Sequence, residues 1–188
     1  MKGRSGGPRI TAGRLAGRRL EIPAGIRPSP GKLREALFSI WSDELEGASL
    51  LDLFAGSGAI AIEAWSRGAR SATVVESDRR VLSSLRRNLA LAEEPLRTRL
   101  LAESVSSALG RLQREGARFD LLFADPPYEL LLDAEFFASA RAIAAPAARL
   151  AIEHRAGAGL EAAPEGWRRS SLRRYGDSAL GFYELAGF

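Results

Sequence analysis

Residues 49–64, Ser-Leu-Leu-Asp-Leu-Phe-Ala-Gly-Ser-Gly-Ala-Ile-Ala-Ile-Glu-Ala, join a strand-sized apolar run to a glycine turn and then to an apolar helical start. A strand buried on both faces reads as a continuous apolar run, and a helix coming at once after it marks the first half of a βαβ unit. Downstream the alternation repeats. From the strand at 49–53, the spacing predicts a helix over 58–67, a strand over 71–75, a helix over 78–91 and a strand over 97–101. It goes on with a helix over 104–115, a strand over 119–124, a helix over 132–144 and a strand over 148–152. Such alternation predicts an α/β fold with a doubly wound, Rossmann-like, mostly parallel sheet. Trp167–Tyr175 and Ala179–Leu185 flank Gly176-Asp177-Ser178 with no helix between them, which predicts a closing antiparallel hairpin.

Upstream, residues 9–22 place Gly13 and Gly17 between short apolar and basic stretches and predict a basic β-hairpin. Pro28 and Pro30 then interrupt the chain, Ser29 can cap a helix, and one is expected from about Pro30 to Leu45. The domain organisation expected is a basic extension over 1–34 and an α/β domain over 35–188, together one compact unit.

The 188 residues, 46% hydrophobic and 27% charged, suffice for one core. With no cysteine and the single histidine His154, disulfides and thiolate metal sites are excluded and no metal is expected. No apolar run approaches a membrane span and the basic start lacks a signal-peptide core, so a cytoplasmic protein is expected. Residues 1–34 hold nine basic side chains, Arg9, Arg14, Arg18, Arg19, Arg27, Lys32 and Arg34 among them, against the one acid Glu21. The other 154 residues carry 18 basic and 22 acidic side chains, a local −4. A cationic arm on a mildly acidic body suits a polyanion, while composition alone equally allows a solvated tail.

Three strand ends carry chemistry. In the turn Phe54-Ala55-Gly56-Ser57-Gly58, glycines let a ligand approach the backbone, and the same pattern serves pyrophosphates and other nucleotides. Asp52 just before it repels a pyrophosphate but suits the cationic methionyl end of S-adenosylmethionine. Glu76, next to Ser77 and 18 residues beyond Gly58, can hydrogen-bond both ribose hydroxyls, whereas Asp78 reads as a helix cap. Decisive is Asp125-Pro126-Pro127-Tyr128. Two prolines fix a rigid loop, so that Asp125 and a proline carbonyl can accept the two hydrogens of an exocyclic amino group while Tyr128 offers a stacking face. His154 and Trp41, Trp65 and Trp167 read as packing residues.

This Asp-Pro-Pro-Tyr loop downstream of a Phe-Ala-Gly-Ser-Gly turn resembles the amino-group methyltransferases that use S-adenosylmethionine. Arg9-Ile10-Thr11-Ala12-Gly13, Gly17-Arg18, Arg27-Pro28, Arg34-Glu35-Ala36-Leu37-Phe38 and Tyr175-Gly176-Asp177 extend the likeness to the bacterial 16S rRNA guanine-N2 methyltransferase family of RsmD type. The resemblance implies methyl transfer to a guanine amino group of small-subunit rRNA; a monomer acting within a small-subunit particle or assembly intermediate is expected. Residues 35–188 would then be the methyltransferase domain and 1–34 an RNA-binding extension. It also implies that either Glu103 or Ser104 meets the adenine of the cofactor. Two rivals stand beside it: a DNA adenine-N6 methyltransferase, against which the lack of a separate DNA-reading domain counts, and a non-catalytic RNA-binding assembly factor, which S-adenosylmethionine binding would exclude.

Overall fold

The structure, a computed structural model, describes residues 7–22, 31–91, 98–127, 129–130, 132–157 and 163–186. Helix α1 (Gly31–Ile40) leads into β1 (Ser49–Asp52), α2 (Ala59–Ser66), β2 (Ser71–Val75), α3 (Arg79–Leu89) and β3 (Thr98–Leu101). Next in the chain are α4 (Val105–Arg114), β4 (Phe119–Ala124), α5 (Ala134–Ala142), β5 (Ala144–Arg155), β6 (Trp167–Tyr175) and β7 (Ser178–Leu185). The seven strands form one sheet in the order β3-β2-β1-β4-β5-β7-β6, parallel from β3 to β5. Strand β7 runs antiparallel to both β5 and β6. The expected α/β sheet with its closing hairpin is thus present, and α3, α4 and α5 start on the side-chain caps Asp78, Ser104 and Asp133.

Alternate residues of the strands feed two cores. Leu50, Val74, Leu121, Phe123 and Ala151 face a layer that includes Leu37, Phe38 and Ala61 from α1 and α2, whereas Leu51, Val75, Leu122, Leu150 and Ile152 face Leu109 and Phe137 from α4 and α5. Covering both faces makes the middle of each central strand an apolar run. The chain order reverses between β1 and β4, which lie side by side with Asp52 opposite Phe123. A crevice at the carboxyl ends of strands results from that reversal.

Two expectations are corrected. Helix α1 stops at Ile40 and gives way to a 3-10 turn over Ser42–Glu44, so the long helix to Leu45 is broken. Strand β5 starts at Ala144 and reaches Arg155, well beyond the apolar core of the run, because its far end pairs with β7. Residues 9–22 form the expected hairpin: Arg9 bridges Arg19 in antiparallel sense, Ile10 N–H donates to the Arg18 carbonyl at 2.9 Å, Gly17 N–H to that of Ile10 at 2.8 Å and Leu20 N–H to that of Pro8 at 2.9 Å. Its turn is bonded to α2, since the amides of Arg14 and Leu15 donate to the Ser66 carbonyl at 2.8 Å and hydroxyl at 2.9 Å. Gly13 is needed there, since a Cβ would sit 1.8 Å from the Ser66 carbonyl oxygen. Ile10 and Leu20 bury against Ile62 of α2. Ser29, Pro28 and Pro30 lie outside the described residues.

Candidate active site

The turn after β1 is held from three sides. Leu53 N–H donates to the Phe123 carbonyl and Ala55 N–H to that of Val75, while Gly58 N–H closes the turn on Ala55 at 2.7 Å. Gly56 and Gly58 take φ of 51° and 77°, the left-handed region where glycine is favoured. A Cβ on Gly56 would meet no atom within 4 Å, so this backbone faces open space. On the opposite side Asn88 of α3 donates to the Ser57 carbonyl at 2.9 Å. Glu76, at the end of β2, accepts from Gly56 N–H at 2.9 Å and from Asp78 N–H at 2.7 Å. It is thereby fixed against the glycine turn.

Asp52 is 1% exposed and neither carboxylate oxygen has a hydrogen-bond partner of good geometry. Burial pushes its carboxyl up to about 8, the charges of Asp125 and Glu76 add to the rise, and the amides of Phe54 and Ala61 oppose it only in part. A buried acid surrounded by acids suits a cation. The loop after β4 brings half-buried Asp125, buried Pro126 and exposed Pro127 to the same end of the sheet, and Leu130 N–H donates to the Pro127 carbonyl at 2.8 Å. Tyr128 lies outside the described residues.

Next to the turn, Phe54, Val105, Leu109, Leu130, Leu132 and Phe136 line a cleft of about 170 Å³. Of the two residues predicted to meet an adenine, Ser104 accepts from Ser107 N–H as the cap of α4, and Glu103 pairs with Arg111 at 3.4 Å. Ser77 is exposed. Sequence reasoning missed Glu153, whose buried carboxyl on β5 contacts Asp125 and is likewise raised to about 8, first by burial and then by Asp125. An acid ending the apolar run Leu150-Ala151-Ile152 was its signal.

On the basic arm, Arg9, Arg14, Arg18, Arg19 and Lys32 are exposed, and Arg14 lies over the Trp65 ring at 5.7 Å. Arg27 is outside the described residues. Arg34, expected on the same cationic surface, is corrected to a structural role. It is buried, forms an ion pair with Glu63 at 2.9 Å, and donates to the Arg9 carbonyl at 2.6 Å. The arm is also pinned near the glycine turn, since Asn88 accepts from Glu21 N–H and donates to its carbonyl.

The fold, the glycine turn and the strand-end acids define a Rossmann-like domain of the methyltransferase class. Residues 8–184 match the sequence model of the family described as conserved hypothetical protein 95, and the chain belongs to that family. It is 33% identical, over 96% of its length and 91% of the relative's, to ribosomal RNA small subunit methyltransferase D of Escherichia coli (strain K12). The enzyme of that name in Haemophilus influenzae is 34% identical over 66% of this chain and 65% of its own. Among solved structures, yhhF, a candidate methyltransferase of Escherichia coli, superposes with a TM-score of 0.83 at 30% identity, covering 96% of this chain and 98% of that one. Among the described residues, no helix is long and apolar enough to cross a membrane.

Proposed function

We propose that the protein transfers a methyl group from S-adenosylmethionine to the N2 amino group of a guanine in 16S rRNA, acting as a cytoplasmic monomer. The observation that carries this reading is the meeting, at one end of the sheet, of the rigid Asp125-Pro126-Pro127 loop with the buried Asp52 carboxyl. The names of the relatives support ribosomal RNA as substrate. The residues fit the cofactor. Asp52 offers a carboxyl with no hydrogen-bond partner of good geometry to a cationic amino acid end, the open side of Gly56 leaves room for a ligand against the backbone, and Glu76 offers a fixed carboxylate to a ribose. The apolar cleft beside Phe54 and Val105 suits a flat ring such as adenine.

S-adenosylmethionine, when bound, supplies an electrophilic methyl group. The guanine amino nitrogen is a weak nucleophile because its lone pair is delocalised into the ring. Asp125 and the Pro126 carbonyl accept its two hydrogens, which turns the lone pair out of the ring plane and holds the nitrogen in line for attack. Carboxylate charge nearby favours the positive nitrogen that develops as the methyl–sulfur bond breaks, with S-adenosylhomocysteine as the leaving thioether, and the methylated nitrogen then gives up one proton to water. Tyr128 supplies a face for the base, and the arm over 1–34, through Arg9, Arg14, Arg18, Arg19, Arg27 and Lys32, grips the phosphates.

The test is to incubate the protein with labelled methyl donor and, separately, unmodified 16S rRNA, assembled small subunits and DNA, then digest to nucleosides. Label in N2-methylguanosine from RNA or subunits is the expected result; label in N6-methyladenine, or none with any substrate, would refute the reading.

Because Asp52 must lose its proton to hold a cation, cofactor affinity is expected to rise with pH toward about 8, by up to about tenfold per unit. Calorimetry in buffers of different ionisation enthalpy should detect the released proton, and Asp52→Asn should bind more weakly without that release. A pH-independent affinity in the parent protein would remove Asp52 from the cation site.

RNA binding is expected to weaken steeply with salt. If each of Arg9, Arg14, Arg18 and Arg19 meets a phosphate, changing all four to glutamine should lower the slope of log affinity against log salt by roughly 3. Cofactor binding should not change. An unaltered slope would leave the arm as a solvated tail.

A further inference from the structure

Glu153 is a buried acid to which the proposed methyl transfer assigns no role. It comes after Leu150, Ala151 and Ile152 on β5, is 3% exposed, and lies next to the β4 loop because Ala124 pairs with Ile152 in the residue step before it. Its Oε2 is buried without a partner of good geometry, and the carboxyl lies between Asp125 on the β4 side and Ser178 on the β7 side, both of which act on it. Two adjacent carboxylates repel, so placing them side by side in a buried position favours one shared proton. Among the described residues, the groups acting on it are Asp125 just after β4 and Ser178 on β7, while Asp52 on β1 and Asp125 act on each other. His154, next along β5, has its Nδ1 against the Arg155 carbonyl at 2.9 Å. Between the two acids, Glu153 is the one sealed in the sheet, where a neutral carboxyl costs least.

We propose that Glu153 is a positioning residue which, in its protonated form, donates to one oxygen of Asp125 and leaves the other oxygen directed at the substrate amino group. The second half of this statement rests on the proposed amino-methyl transfer; the first half stands without it. Ionisation of Glu153 would set two carboxylates against each other and turn Asp125 away. Burial raises Glu153 to about 8, so that disruption belongs to the alkaline side.

The experiment tracks turnover at saturating RNA and cofactor from about pH 6 to about 9.5 for the parent protein, Glu153→Gln and Glu153→Ala. Turnover of the parent should fall above about pH 8. Glutamine keeps an N–H for Asp125 and an acceptor for Ser178 but cannot ionise. It should restore most of what alanine loses, roughly 10-fold to 100-fold, and should abolish the alkaline fall, with the cofactor KM little changed in either variant. Glutamine as slow as alanine, or an alkaline fall that persists in Glu153→Gln, would overturn the proposal.

Carbon-13 NMR of labelled glutamate carboxyls supplies a readout that needs no activity. The resonance lost in Glu153→Gln should report a protonated carboxyl at pH 7, and Asp125→Asn should shift its titration downward. A Glu153 carboxyl ionised at neutral pH would overturn the proposal on its own. A shared proton in a protein that methylates no nucleic acid would instead refute the proposed function and leave the proton assignment standing.

Discussion

Replacing Asp125 with alanine is expected to lower turnover by at least about 10²-fold to 10³-fold, the range found when one preorganised group at a reacting centre is removed. The effect should fall on the chemical step. Asp125 stands on a proline-locked loop beside the Pro126 carbonyl, which fixes where its charge is presented. Cofactor binding should survive, and its sign can be stated. Asp125 is a negative charge that helps hold the Asp52 carboxyl up near 8; without it Asp52 ionises more readily, and a cation should bind as well or slightly better at neutral pH. The measurement is single-turnover methyl transfer beside calorimetric cofactor affinity. A variant with near-normal transfer would dismiss Asp125 from the site, and one that loses both together would report a disturbed fold.

The parallel sheet was legible because its strands are covered on both faces and therefore read as continuous apolar runs, as in Leu50-Leu51 and Leu121-Leu122-Phe123. The glycine turn, Glu76 and Asp125 were legible for a related reason: each ends such a run with residues that a strand does not need. Glu153 ends a run in the same way, yet an acid at a strand end is ordinary until its neighbours are known. Its distinguishing mark is the Asp125 beside it, a pairing set by strand register and absent from the linear pattern.

The arm was the least legible part. Its charge was counted correctly, but nine cations in a segment do not say which face the solvent. Arg34 shares the buried face of α1 with Leu33, Leu37 and Phe38, a spacing that places it on the apolar stripe, and its counter-ion Glu63 lies in an otherwise apolar stretch of α2. Each charge alone looked like an exception. Together they form a clamp that docks the arm onto the sheet domain.

That clamp carries the largest expected effect on stability. Glu63 is fully buried and faces the Arg34 guanidinium at 2.9 Å, an ion pair without the alignment of a hydrogen bond, and also takes Arg67 at 2.8 Å. Thr11 of the arm donates to it through both its amide, at 3.3 Å, and its hydroxyl. Glu63→Ala leaves the Arg34 charge buried without its counter-ion, a change that costs about 3–5 kcal/mol. For a chain of this size that corresponds to a fall in Tm on the order of 10 °C. Arg67 should contribute little to the loss, because it is partly exposed and can stay over the Phe38 ring, 4.9 Å from the centroid. The pair itself need not be stabilising relative to an apolar one, since two desolvated ions gain back only part of what they lose. A double variant, Arg34→Met with Glu63→Leu, should therefore recover most of the Tm. It should not recover RNA affinity to the same degree, because Thr11 still lacks its acceptor and Arg9 loses the guanidinium that holds its carbonyl. Thermal unfolding and RNA binding of the parent and both variants decide the matter. A Glu63→Ala protein that melts within about 1 °C of the parent would mean that solvent reaches the clamp and that the arm is not closed on α2.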